Sequence, residues 1–139
     1  MRPQYGEGDA VKVPRSVVEG IFSQGRREAP LEACGYLSGG DGVVARAHTM
    51  RNADQSPEHF TLDPEEQFRV IREARTENRK IIAVYHTHPA SPARPSAEDI
   101  RLAFDPYIIY VIASLQEAGD IRAFRITGGE VSPEEMEII

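Results

Sequence analysis

With 139 residues, 40% of them apolar, and no apolar run near the roughly 20 residues of a membrane helix, the chain is sized for one soluble domain with a substantial core. Sixteen basic residues against 22 acidic ones give a net charge of −6, which argues against bulk nucleic-acid binding. The single cysteine, Cys34, excludes an internal disulfide and an all-thiolate metal site.

The start, Met1-Arg2-Pro3-Gln4-Tyr5-Gly6, lacks the apolar core of a signal peptide, so a cytoplasmic protein is expected. Ala10 to Val13 reads as a short strand. Pro14 and Ser16 open a helix with Val17, Val18, Ile21 and Phe22 in one apolar stripe, and Gly25 with Arg26-Arg27 marks its end. Pro30 resets the backbone. Glu32 to Ser38 reads as a second strand, Gly39-Gly40-Asp41-Gly42 as a hairpin turn, and Val43 to Met50 as the return strand. Asn52 to Glu58 is a polar surface loop, and His59 to Leu62 a short strand. Asp63-Pro64-Glu65-Glu66 is a strong helix start: an Asp cap, Pro in the first turn, then acids at the positive end of the helix dipole. That helix is expected to turn Phe68, Ile71 and Ala74 inward and to run to about Asn78, with Arg72, Arg75, Arg79 and Lys80 on its solvated side. Lys80 to His88 is a central strand. Ser96 caps a short helix with Glu98 and Asp99 in its first turn, followed by Ile100, Leu102, Ala103 and Phe104. Tyr107 to Leu115 and Ile121 to Ile126 are strands joined by the turn Glu117-Ala118-Gly119-Asp120. Gly128-Gly129 makes a last turn before a tail, Glu130 to Ile139, able to add an edge strand. No repeat or linker divides the chain, so residues 1–139 form one domain. The expected fold is α/β of the α+β type: a mixed, largely antiparallel sheet with helices packed on it.

The chemistry concentrates at Tyr85-His86-Thr87-His88-Pro89. Side chains on a strand alternate faces, so His86 and His88 point the same way. Pro89 stops the strand, and a loop with Pro92 and Pro95 leads to Ser96 and Asp99, three apart and able to face the two histidines. Two neutral imidazoles and one carboxylate, with a fourth position open, suit a catalytic zinc ion. Such an ion brings the pKa of a bound water to near 7.

His86-Thr87-His88-Pro89, six residues, then Ser96-Ala97-Glu98-Asp99 resembles the signature of the JAMM (MPN+) zinc metallopeptidases. Pro30-Leu31-Glu32-Ala33-Cys34-Gly35-Tyr36-Leu37-Ser38-Gly39 is similar to that family's glutamate-bearing strand, and Phe60-Thr61-Leu62-Asp63-Pro64 to its entry into the second helix. The likeness covers residues 10 to 126 and is nearest in size to the compact bacterial members. It implies a cytidine-deaminase-like fold. It also implies zinc-dependent cleavage of amide or isopeptide bonds after the C-terminal tail of a ubiquitin-like or sulfur-carrier protein. His86, His88 and Asp99 are then the zinc ligands. Glu32, brought beside the metal by strand pairing, is the general base and acid, and Ser96 donates to the oxyanion.

Plainer readings stand beside these. Ser96-x-x-Asp99 is also close to a capping box, and Glu28 or Glu19 could serve as the acid in place of Glu32. Cys34 shares a strand face with Glu32 but reads as a small buried apolar residue with no base to activate it. His48 and His59 read as surface or satisfied histidines. The alternative function is a non-catalytic MPN-type binding module for a ubiquitin-like partner. A nucleobase deaminase is a third, disfavoured by the missing Pro-Cys-x-x-Cys run. Asn52 to His59 and Ala90 to Arg94 are the loops expected to line a groove for an extended tail.

Overall fold

The computed structural model describes residues 10–103, 105–116 and 119–139. Their elements in chain order are β1 (Val11–Val13), α1 (Arg15–Glu28), β2 (Cys34–Gly40), β3 (Val43–Met50), α2 (Pro64–Thr76), β4 (Lys80–His88), α3 (Ala97–Leu102), β5 (Ile109–Ser114), β6 (Asp120–Thr127), β7 (Glu130–Glu134) and β8 (Met136–Ile138). The strands form one sheet in the order β7-β6-β5-β4-β2-β3-β1-β8. The β2–β3, β2–β4, β5–β6 and β6–β7 pairs are antiparallel, whereas β1–β3, β1–β8 and β4–β5 are parallel. The mixed sheet expected from the sequence is present. Its hairpin between β2 and β3 turns on Asp41 and Gly42, both at positive φ (55° and 77°), the backbone of a two-residue type I′ turn.

The C-terminal tail does more than add one edge strand. β7 closes one edge and β8 the other, with Glu135 alone between them in the chain. The sheet therefore curls until its two edges approach.

Each face of the sheet carries its own core. On one, Val17, Val18, Ile21 and Phe22 of α1 pack with Leu37, Val44, Tyr85, Ile109, Val111 and Ala113. Alternation along β4 sends Val84, His86 and His88 to the other face. There Val70 of α2 packs with Tyr36, Met50 and Val84, and Phe60, Leu62 and Tyr110 lie against them. A third cluster, Ala93, Ile112 and Phe124, pins the loop after β4 onto the sheet.

Three expectations need correction. Residues 59–62 are not a strand: the pairing there is a single bridge between Asn52 and Leu62. Glu32 precedes β2 rather than belonging to it. On α2, Phe68 is 72% exposed and Ile71 borders on solvent, whereas Val70 and Ala74 are buried. The true stripe is Gln67-Val70-Ala74, an i, i+3, i+7 pattern. Its polar member is retained because Gln67 Nε2 donates to the Tyr36 hydroxyl at 2.9 Å. Phe68, two positions from Val70, is rotated by about 200° from it. α3 ends at Leu102, and Phe104, expected to extend it, lies outside the described residues.

Candidate metal centre

β4 lies between β2 and β5 and carries both histidines at its C-terminal end, each only 2% exposed. His86 is registered against Cys34 of β2 and Ile112 of β5, and His88 against Ser114. Thr87 points to the opposite face, where α1 approaches closely: a Cβ on Gly25 would come within 2.8 Å of the Thr87 methyl. Thr87 Oγ1 also accepts from Ala33 N–H, and Ala33 O accepts from Thr87 N–H, both at 2.9 Å. Pairing with β4 thus continues past the start of β2 and holds Glu32 alongside His88.

The two imidazoles converge. His86 Nε2 and His88 Nε2 are 3.1 Å apart, and Asp99 Oδ2 lies 3.2 Å from the first and 3.1 Å from the second. The tautomer of His88 is set by its other nitrogen, because Nδ1 lies 2.8 Å from the Pro92 carbonyl, which can only accept. Nδ1 therefore carries the proton and donates it, leaving a lone pair on Nε2. The Pro92 carbonyl is itself held by the buried Ala93 and by a 2.7 Å bond from Ser114 Oγ to Ser91 O. His86 is held by packing instead, its ring stacked on Phe60 at 4.6 Å between centroids.

Asp99 is fastened by a capping box. Ser96 N–H donates to Asp99 Oδ2 at 2.9 Å, and Asp99 N–H donates to Ser96 Oγ at 3.0 Å. The Ser96 hydroxyl thus uses a lone pair for the cap and keeps its proton to donate elsewhere.

Electrostatics follow from burial and contact. Burial opposes charge on Asp99, yet the His86 and His88 rings against it, whenever they carry a proton toward it, outweigh burial and hold the carboxyl well below the usual range. Burial lowers the pKa of His86. It also works against charge on His88, where Asp99 and the Pro92 carbonyl prevail and raise the pKa. Glu32, 2% exposed, is pushed up to about 8, chiefly by burial and against the pull of His88. Its Oε1 is buried with no hydrogen-bond partner among the described residues, as is His86 Nδ1.

Three electron-rich atoms this close require a cation among them, either a proton or a metal ion. An ion about 2.0–2.1 Å from each atom of a tetrahedral set holds them about 3.3 Å apart, so the triangle of two Nε2 atoms and Oδ2 has the size of one face of such a site. Glu32, His86 and His88 also form a metal-capable group, with ligand atoms within 4.8 Å of one another. The Glu32 carboxyl therefore lies close to the two imidazoles, with its Oε1 buried and unpartnered among the described residues. The donor set fits a divalent metal, with the identity of the ion left open by these atoms.

Residues 14–127 match the family described as prokaryotic homologs of the JAB domain. The CysO-cysteine peptidase of Mycobacterium tuberculosis is 34% identical over 127 residues, covering 88% of this chain and 87% of that protein. The chain is a member of the prokaryotic JAB family. A desampylase of Haloferax volcanii is 33% identical over 119 residues, covering 81% of this chain and 84% of the relative. The solution structure of a Desulfitobacterium hafniense protein superposes with a TM-score of 0.85 at 40% identity, covering 92% of each chain.

Of the residues singled out from sequence, His86, His88, Asp99 and Glu32 meet at one point, and Ser96 caps the helix that presents Asp99. Cys34 lies beside His86 but is fully buried, and burial pushes its thiol up to about 12, which leaves it inert at neutral pH. His59 is partly exposed and bonds Asp54 at 3.0 Å. His48 is not a surface histidine: it is 3% exposed, with Nε2 2.7 Å from Ser38 Oγ. Sequence reasoning missed the supporting residues Asn52, Phe60, Pro92 and Ala93. Their roles arise from backbone carbonyls, stacking and loop anchoring, none of which has a spacing signature.

Proposed function

We propose that this JAB domain is a zinc-dependent hydrolase that cleaves the amide or isopeptide bond following the C-terminal tail of a ubiquitin-like or sulfur-carrier protein. The observation that carries the reading is the coordination-sized triangle of His86, His88 and Asp99 with a buried Glu32 carboxyl beside it, one of whose oxygens has no partner among the described residues. His86, His88 and Asp99 are the ligands in this proposal. When bound, the ion supplies Lewis acidity, polarising the scissile carbonyl and lowering the pKa of an attacking water.

The chain's own groups do the rest. Glu32 takes the proton from the water and delivers it to the departing amine, so no covalent intermediate is needed. A neighbouring dication favours the ionised carboxylate and draws the Glu32 pKa down from about 8 toward working pH. Ser96 donates its hydroxyl proton to the oxyanion that develops on the carbonyl, while its lone pair stays on the cap. The segment 52–62 reaches Glu32 and His86, and the loop 90–95 reaches His88, so both border the path of an extended tail.

The names of the relatives from M. tuberculosis and H. volcanii support a carrier-type substrate. The test is to incubate the zinc-loaded protein with the sulfur-carrier proteins of the same genome, each extended by one or two residues beyond its C-terminal Gly-Gly. Mass spectrometry would read the trimmed product. Trimming that stops on chelation and returns with zinc is expected. One bound zinc without cleavage of any carrier would overturn the hydrolase reading in favour of a binding module.

A further inference from the structure

One side chain outside the candidate ligand set touches both sides of the site. Asn52 follows β3 and is 4% exposed. Its Nδ2 donates to Glu32 O at 3.1 Å and to His59 O at 3.0 Å, with Ser56 O a longer third neighbour at 3.4 Å. Its Oδ1 accepts from Asp54 N–H at 3.0 Å and from Thr61 N–H at 3.2 Å. An amide has two protons and two lone pairs to give, and all are used here. Carbonyls gather on one side and N–H groups on the other, so one orientation of the amide is possible.

The partners matter more than their number. His59 O and Thr61 N–H flank Phe60 in the chain, so the Asn52 amide clamps the backbone on either side of the ring that stacks on His86. The same amide holds the Glu32 carbonyl, and Glu32 N–H donates to Ser56 O at 2.9 Å within the same segment. Glu32 lies outside the strand ladder, and its carboxyl has an oxygen with no partner of its own. Its position is therefore set by its backbone.

We propose that Asn52 is a positioning residue that fixes the base, Glu32, and the stacking ring of one metal-side imidazole relative to each other. This rests on the hydrolase reading above and deepens it. An aspartate at 52 keeps the shape and the two acceptor bonds, but turns a carboxylate oxygen toward the carbonyls of Glu32 and His59. An alanine removes the tie without adding charge.

The experiment compares Asn52→Asp and Asn52→Ala with Glu32→Gln and with the double variants, all zinc-loaded, using an extended carrier as substrate. Both Asn52 variants are expected to bind one zinc and to lose about 10–100-fold in kcat, the usual cost of an outer support to a metal site. KM should stay within about threefold, because the tie orients the reaction rather than the substrate. Added to Glu32→Gln, either change should cost little further, since the residue it positions is already disabled. Amide hydrogen exchange supplies a readout independent of turnover. The Glu32 amide should exchange faster in both variants and the Thr61 amide in Asn52→Ala, which alone removes its acceptor, with Thr87 unchanged. Full kcat with unaltered exchange, or a loss that adds in full to that of Glu32→Gln, would overturn the proposal. If Asn52→Asp does not fold, Asn52→Ala and the exchange data decide alone. Failure of the underlying reading looks different: Glu32→Gln would then be as active as the unaltered protein.

Discussion

Two histidine clusters lie on the same face of the sheet and use the same residue types to different ends. Tyr36 is registered against both His48 and Val84, and Val84 and His86 alternate along β4, so His48 and His86 share that face. At His48 one ring nitrogen meets Ser38 Oγ at 2.7 Å, and the other faces Glu73 Oε1 at 3.5 Å, an electrostatic contact longer than a good hydrogen bond. Nε2 thus has a hydrogen-bond partner, and Nδ1 has only this longer contact with an acid. At His86 and His88 the Nε2 atoms face each other and a carboxylate, and once the His88 proton is on Nδ1 the neutral site has at most the single His86 proton to share among the three contacts. Burial and a nearby acid are common to both places. Convergence of lone pairs distinguishes the second, and it is that convergence which selects a cation.

The largest effect should come from breaking the convergence. Asp99→Asn keeps the shape and the possibility of the cap, but replaces the proposed anionic ligand by a neutral amide. Zinc stoichiometry measured after dialysis against a weak chelator is expected to fall toward zero, and carrier cleavage to the assay floor. His86→Ala and His88→Ala should do the same. A fully zinc-loaded Asp99→Asn protein would show that the Glu32-containing group holds the ion instead.

Glu32→Gln separates the proposed base from the proposed ligands. It should keep one zinc and lose about 10²–10⁴ in kcat, the range for removing a general acid–base. Its pH dependence provides an independent reading in chelator-treated protein. Glu32 titrates near 8 when folded against 4.5 when unfolded, so the folded chain holds the extra proton between those values. Stability from this group is full below pH 4.5 and is lost as pH rises toward 8. The lowered pKa of His86 slopes the other way, so the informative quantity is the difference between the unaltered protein and Glu32→Gln. In urea melts, Glu32→Gln should gain relative stability steadily from pH 4.5 to 8. A difference that does not change with pH would mean that the Glu32 carboxyl is no more protonated in the fold than out of it.

That contrast between ligands and support also marks how far the sequence could be read. His86, His88, Asp99 and Ser96 are legible because strand alternation and a capping box are short-range, periodic rules. Glu32 is legible as a candidate, but its placement depends on the Ala33–Thr87 pairing between segments 54 positions apart in the chain. The strands and helices follow hydrophobic period and turn residues, with the β2–β3 hairpin the clearest case. Three things have no such signal. The stripe on α2 is decided by which helix face meets Tyr36, so an apolar Phe68 is left exposed and Gln67 is turned inward. The return of the tail to the far edge of the sheet depends on β1 being free to pair with β8. Asn52 reads as one more polar loop residue until its five neighbours are in place.

Ser96→Ala touches both halves of the contrast and should have an intermediate effect. Loss of the cap costs about 1 kcal/mol of stability. Loss of the donor costs about 10²–10³ in kcat if the hydroxyl meets the oxyanion, and nothing if it only caps. Ser96→Asp keeps a capping oxygen but has no proton to donate when ionised, so it should restore stability without restoring turnover. Restored turnover in Ser96→Asp would leave the serine with the cap alone.

His48 is where the smallest change in activity is expected, and it tests the other side of the comparison. Replacing it with leucine leaves the buried Ser38 hydroxyl without its partner, a cost of about 1–3 kcal/mol at neutral pH. Burial lowers the His48 pKa, with Arg46 acting in the same sense and Glu73 and Glu77 opposing. The folded chain thus binds this proton less readily than the unfolded one. The associated stability is present above pH 6.5, the unfolded value, and is lost as the solution becomes more acidic. The gap between the unaltered protein and His48→Leu should therefore narrow on acidification, and thermal melts from pH 7.5 to 5 would show it. Zinc content and kcat should not move, because both ring nitrogens of His48 face protein groups rather than the centre. A His48→Leu protein that loses its metal would mean that the two clusters share one structural equilibrium through α2, whose Glu73 and Val70 touch both this histidine and the core beneath the site.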